Sequence, residues 1–105
     1  MEKRKRHSCK NLKIWTLGIE IVDDVFNFLS KFLVGEKFGL KSQLSRCSIS
    51  IPSNVAEGSS RTDKSFSHFL DIALGSSFEI ETQLIISFKR EYITEKELTK
   101  IELKI

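Results

Sequence analysis

A chain of 105 residues, 40% hydrophobic and 30% charged, fits one small soluble domain with little core to spare. No apolar run nears the roughly 18 residues that span a bilayer. No apolar stretch follows the charged start to form a secretory signal, and two cysteines build no disulfide framework, so a reducing cytoplasm is the expected compartment.

The net charge of +3 is unevenly placed. Lys3, Arg4, Lys5, Arg6 and Lys10 oppose only Glu2, so residues 1–10 carry +4, while 12 Lys/Arg against 13 Asp/Glu leave residues 11–105 at −1. The basicity therefore belongs to a flexible tail, and the body is near neutral. Such a cluster suits phosphate contact, because counterion release drives nucleic-acid binding without any base being read. A solvated terminus that aids solubility is the plainer alternative.

The spacing predicts a first helix over 12–34. At 100° per residue, Trp15, Ile19, Val22, Phe26, Leu29 and Leu33 fall on one line. Ile14, Leu17, Ile21, Val25, Phe28 and Phe32 form a second line beside it. Together they cover roughly 200°, about twice the apolar arc of a surface helix. Burial from two sides is expected, within the bundle and against another subunit, and we assign the second line to the oligomer interface. Gly35 is placed to cap this helix in the left-handed region.

A second helix is predicted over 40–60. Leu40, Leu44, Cys47, Ile51 and Val55 are spaced 4, 3, 4 and 4 apart, one face of a 3.6-residue helix. Pro52, the only proline, should break a helix, since it lacks an N–H and collides with the carbonyl four residues back. The stripe keeps its phase across Pro52, which predicts one kinked helix. A second face of Ser45, Ser48, Pro52, Ala56 and Ser59 is small enough to admit a neighbouring backbone. The third face, with Gln43, Arg46, Ser50, Ser53, Asn54, Glu57 and Arg61, reads as a solvated side, a hydrogen-bonded seam or an RNA-facing surface. Cys47, on the core stripe, is expected to be reduced and inert.

The third helix is predicted over 63–92, capped by Thr62 or Asp63, with Phe66, Phe69, Leu70, Ala73, Ile80, Leu84 and Phe88 inward. Gly75 within it costs about 1 kcal/mol relative to alanine, which points to a close crossing. Thr94 and Glu97 form a capping box that opens a fourth helix over 94–105, with Leu98, Ile101 and Ile105 apolar. About 12 residues are marginal for an isolated helix. With no convincing period-two segment, the fold class is all-α, an up-and-down antiparallel four-helix bundle.

The search for catalysis yields little. His7 and Cys9 are a lone H-x-C, and His68 has no cysteine or carboxylate at metal-ligand spacing. Glu79 and Glu81, two apart, point to different sides of a helix, and Glu81, beside the apolar stripe, reads as a buried hydrogen-bond or ion-pair partner. Phosphate-binding glycine loops and nucleophile elbows are missing. The reading is non-enzymatic, with no cofactor, metal or small-molecule substrate expected.

Leu12-Lys13-Ile14-Trp15, then Gly39-Leu40, Ser42-Gln43, Arg46 and the run from Ser50 to Gly58 (SIPSNVAEG) resemble the hallmarks of a bacterial family. So do Arg61, Phe66, Phe69-Leu70, Ile72 to Ser76 (IALGS), Glu79 and Glu81 to Leu84 (ETQL). The chain is identified by these residues as similar to the four-helix bundle proteins encoded within intervening sequences of 23S ribosomal RNA genes, loosely labelled ribosomal proteins and related to retroelement accessory proteins. The resemblance implies a ring, typically a homopentamer, associated with nucleic acid. Departures are Ser45-Arg46 where two basic residues are common, Thr62-Asp63-Lys64 where a basic start to helix 3 is common, and Gly18 for a usual alanine.

Two functions follow as expectations. In one, a homo-oligomer binds rRNA or other structured nucleic acid through Lys3, Arg4, Lys5, Arg6 and Lys10 of the tail and the rim residues Lys13, Arg46, Arg61 and Lys64. In the other, the assembly is a protein–protein scaffold or accessory subunit, and the tail is incidental.

Overall fold

The computed structural model describes residues 11–31 and 39–105. The tail cations, Phe32, Leu33 and the expected Gly35 cap lie outside the described residues. Four helices follow in order: α1 (Lys13–Leu29), α2 (Leu40–Ser59), α3 (Asp63–Lys89) and α4 (Glu95–Glu102). Among the described residues there is no strand. Each helix packs on its neighbours in sequence, and α4 returns to α1, which is the up-and-down arrangement the periodicity predicts. Among the described residues, the 8-residue α4 is what lies between α1 and α3.

The proline does not break α2, which runs unbroken from Leu40 to Ser59. Leu44, Cys47, Ile51 and Val55 are buried on its core stripe, so the gain from burying that stripe outweighs the missing hydrogen bond. The small face receives α1. A Cβ added at Gly18 would lie 3.2 Å from Ile51 Cγ2, Pro52 Cδ and Pro52 N. The absent side chain is what lets α1 lie against the proline ring.

The two apolar lines of α1 are distributed the other way from the sequence assignment. Ile21, Val25 and Phe28 are 3%, 0% and 5% exposed within the single chain, so they are used up in its own core and cannot line an interface. Leu17 is half-buried and Ile14 stands exposed at the edge of a groove. Of the first line, Ile19 and Phe26 are exposed, Trp15 and Val22 are half-buried, and Leu29 is buried in the core. The lines lie about 100° apart and are equally apolar, so only the position of α2 decides which faces inward. The described helix also ends earlier than predicted, at Leu29, where Ser30 Oγ turns back to donate to Asn27 O at 2.9 Å.

In α3 the inward residues are Ala73, Ser77, Ile80, Leu84 and Ser87. Phe88, expected in the core, is 38% exposed, and Ser87 occupies the inner position, its hydroxyl satisfied by Gln83 O at 2.8 Å. Thr62 is the N-cap, accepting from Ser65 N at 3.3 Å. The helix stops at Lys89, and Glu91 adopts φ 64°, a left-handed turn that ends it before Tyr92. Gly75 marks no crossing within the chain, since nothing lies within 4 Å of a Cβ built there. Gly58 does, as its Cβ would meet Phe69 Cβ at 2.7 Å and Phe66 Cδ1 at 3.0 Å.

The Thr94–Glu97 capping box forms in both directions, Glu97 N to Thr94 Oγ1 at 3.1 Å and Thr94 N to Glu97 Oε1 at 2.9 Å. Leu98 and Ile101 are buried, while Ile105 is 38% exposed. The helix is shorter than the predicted 94–105, ending at Glu102. An ion-pair clamp, unforeseen in sequence, fixes it to α1. The carboxylate of Asp24, a residue only 6% exposed, accepts from Lys104 at 2.6 Å and lies 3.4 Å from Lys100. One turn further, Lys31 pairs with Glu97 at 2.7 Å.

Candidate nucleic-acid and assembly surfaces

Antiparallel packing gathers one end of the bundle from three pieces: the start of α1, the end of α2 and the start of α3. Lys13, Arg61 and Lys64 all belong to that end and are exposed. The chain enters α1 there, so residues 1–10 are joined covalently at the same place. Arg46 does not belong to this group. It is exposed near the middle of α2, about 15 residues, or roughly 22 Å along a helix at 1.5 Å per residue, from Arg61.

Arg61 is also less available than its charge suggests. It pairs with Glu57 in the favourable i,i+4 order, and its guanidinium lies 5.4 Å from the centroid of the Phe69 ring. Both pair members are half-exposed, so the pair contributes only a few tenths of a kcal/mol. What it does is orient a flat cation over an aromatic ring at the bundle end. Asp63 and Glu57 temper the potential there.

The polar face of α2 divides into two. Gln43, Arg46 and Ser53 are exposed. Ser50 and Asn54 instead form a seam with α3: Ser50 Oγ lies 2.9 Å from Ser76 Oγ, and Asn54 Nδ2 donates to Ser50 O at 2.8 Å and to Ser50 Oγ at 2.9 Å. One turn towards the other end, Cys47 Sγ donates to Glu79 Oε2 and receives a contact from Gln83 Nε2 at 3.6 Å. Burial, then the hydrogen bond to Glu79 and its negative charge, push the Cys47 thiol up to about 11. A thiol held protonated is a poor nucleophile, in keeping with the inert cysteine expected. The cross-helix carboxylate is Glu79 rather than Glu81. Gln83 Oε1 is buried without a hydrogen-bond partner among the described residues.

No convergence of catalytic groups appears among these contacts. His68 is exposed, its ring edge-on to Phe69 at 5.7 Å. Among the described residues no three His, Cys, Asp or Glu side chains could hold a metal ion, and no helix is long and apolar enough to cross a membrane.

Among the large apolar side chains that stand exposed outside the core, two groups form stripes. Trp15, Ile19 and Val22 of α1 with Ile49, Pro52 and Ala56 of α2 line one shallow groove, continued by Phe26. On α3, Phe78, Ile85 and Phe88 are 58%, 37% and 38% exposed along one stripe. Scattered exposed apolar residues are ordinary, but contiguous stripes of this kind mark contact surfaces. Of this stripe the periodicity names only Phe88, which it places in the core, and it leaves Phe78 and Ile85 unassigned.

The family model for the 23S rRNA-intervening sequence protein matches residues 10–105. Among solved structures, a protein of unknown function from the S23 ribosomal protein family of Bacteroides thetaiotaomicron VPI-5482 is similar at 29% identity and a TM-score of 0.76, covering 87% of this chain and 86% of that one. Comparison with curated proteins gives no significant match.

Proposed function

We propose that this chain, which belongs to the 23S rRNA-intervening sequence protein family, acts as a non-enzymatic, homo-oligomeric bundle that binds structured RNA at one end. The observation that carries this reading is the convergence of Lys13, Arg61 and Lys64 on the end where the +4 segment of residues 1–10 is attached. Near-neutral charge over the rest of the chain makes that end the favoured landing place for phosphates. Arg46 stands outside this set. Assembly would multiply the effect, because several weak basic ends held in one particle bind a long RNA with avidity. A closed ring, a pentamer in the family pattern, would place those ends on one face.

Gel-shift titration of a labelled RNA stem-loop against salt tests the reading. Affinity should fall steeply between 50 and 200 mM salt, as expected for about six phosphate contacts. Deleting residues 1–10 removes five cations and should flatten the log–log slope by about 4, at 0.7–0.9 per contact. Salt-independent binding, or none, would overturn it.

The exposed apolar stripes favour a second reading, a protein scaffold in which the tail is incidental. Its mark would be stable capture of a defined partner by the tail-deleted chain with no RNA retained. Both readings need an assembly, and a clean monomer by light scattering at micromolar concentration would contradict both.

A further inference from the structure

Arg61 is built differently from Lys13 and Lys64, the other cations of the bundle end. One edge of its guanidinium meets the Glu57 carboxylate, so the pair carries no net charge and adds little to the attraction for phosphate. Its plane lies over the Phe69 ring, with Cζ 5.4 Å from the centroid. The side chain is nonetheless 50% exposed. With one face on Phe69 and one edge on Glu57, that exposed half includes the opposite face.

The layer beneath this plane is fixed. Phe69 is half-buried and backs onto Gly58, where a Cβ would come within 2.7 Å of Phe69 Cβ. His68 packs edge-on against the same ring, at 5.7 Å and 70°. The backbone of Arg61 is held as well, its N–H donating to Gly58 O at 3.0 Å. Ring and guanidinium therefore form a two-layer platform that is set before any ligand arrives, which lowers the ordering cost of binding.

A flat, weakly hydrated guanidinium stacks well on π-faces, and Glu57 already occupies an edge that could fork a phosphate. In a paired RNA helix the base faces are covered by their neighbours, and the deep, narrow major groove hides their edges. A base that has left the helix, in a loop or a bulge, offers a free face. Resting on the RNA-binding reading above, we propose that Arg61, backed by Phe69, stacks one unpaired base of the RNA. Lys64, exposed three residues on at the start of α3, supplies charge for the adjoining phosphate. The substrate class is a helix interrupted by an unpaired base rather than a continuous duplex.

The probe is a short fluorescein-labelled RNA strand annealed to either of two complements, one leaving a single adenosine unpaired and one pairing it. The paired form carries one phosphate more, so charge alone does not favour the bulge. Anisotropy titration with the full chain should show binding to the bulged form tighter by about fivefold or more, the scale of one stacked base. Arg61→Lys keeps the charge and loses the plane. It should bring the bulged RNA down to duplex affinity while leaving duplex binding and the salt slope unchanged. Phe69→Leu removes the ring beneath and should reduce the bulge preference in the same sense, with thermal melts confirming the fold. Lys64→Ala should instead weaken both forms and lower the salt slope by about 0.9. Equal affinity of the unmodified chain for the two RNAs would overturn this inference alone, and so would a bulge preference that survives Arg61→Lys. No binding to either RNA would overturn the RNA-binding reading along with it.

Discussion

A Cβ at Gly58 would lie 2.7 Å from Phe69 Cβ and 3.4 Å from Phe66 Cα, atoms that cannot move unless α3 moves with them. Gly58→Ala should therefore force the end of α2 away from α3 and cost about 1–3 kcal/mol, the usual scale of overpacking, read as a lower midpoint in urea. At Gly75 the same substitution meets nothing within 4 Å and restores helix propensity. It should raise the stability of the isolated chain by about 0.5–1 kcal/mol. Should Gly75→Ala instead lower the assembled mass at fixed concentration, that glycine serves a crossing between subunits rather than within one. Cys47 yields a pH prediction at the same scale. Its folded thiol is raised from 9.0 to about 11, so the native state favours the protonated form. The associated stability is complete below pH 9 and is lost as pH climbs through about 11. In a Cys9→Ser background, Cys47 should resist labelling by a thiol reagent at pH 8 until urea unfolds the chain. Prompt stoichiometric labelling of the native protein would contradict its burial.

At the scale of elements, α4 is the piece held least by packing and most by charge. Asp24 receives both Lys100 and Lys104, so Asp24→Asn removes the charge from two contacts at once. The expected cost is about 1–3 kcal/mol, localised to α4. Hydrogen exchange should accelerate over residues 95–102 while α2 stays protected; uniform acceleration would mean that α4 unfolds only with the whole chain. The opposite end of α4 is fixed by Glu97. Burial alone would raise its carboxyl, but the Lys31 ammonium and the Thr94 donors outweigh that and lower it. This contrast explains what could be read in advance. The capping box was legible because its partners are three residues apart, and the unbroken α2 because the phase of one stripe is local information. The Asp24 clamp was not, since its lysines are 76 and 80 residues away. The inward line of α1 was undecidable for a related reason, because two equally apolar lines carry no preference until α2 is placed. Of the candidate site, Lys13, Arg61 and Lys64 were legible as cations, whereas their convergence on one end came only from the antiparallel packing.

For the whole molecule, the placement of the two apolar stripes constrains how copies can meet. Ile19 and Phe26 are exposed on α1 beside half-buried Trp15 and Val22, and Phe78, Ile85 and Phe88 are exposed on α3. Two different patches on one chain suit a head-to-tail contact, in which the α1 patch of one copy meets the α3 patch of the next. Repetition of that contact closes a ring if the rotation allows. Phe26 and Phe78 are 47% and 58% exposed, so aspartate at either spares the core while spoiling one patch. Phe26→Asp and Phe78→Asp should each be monomeric alone by light scattering. Mixed in equal amounts, they retain one intact patch apiece, and that pair forms a single good contact. The mixture should therefore rise to twice the chain mass and stop there, because neither outer end can recruit another copy. In a like-to-like arrangement the outcome differs. Each variant would keep its unspoiled self-contact and already dimerise alone, and mixing would add no new species. A measured mass of two chains in the mixture and one in each separate solution distinguishes these geometries without any structure of the assembly.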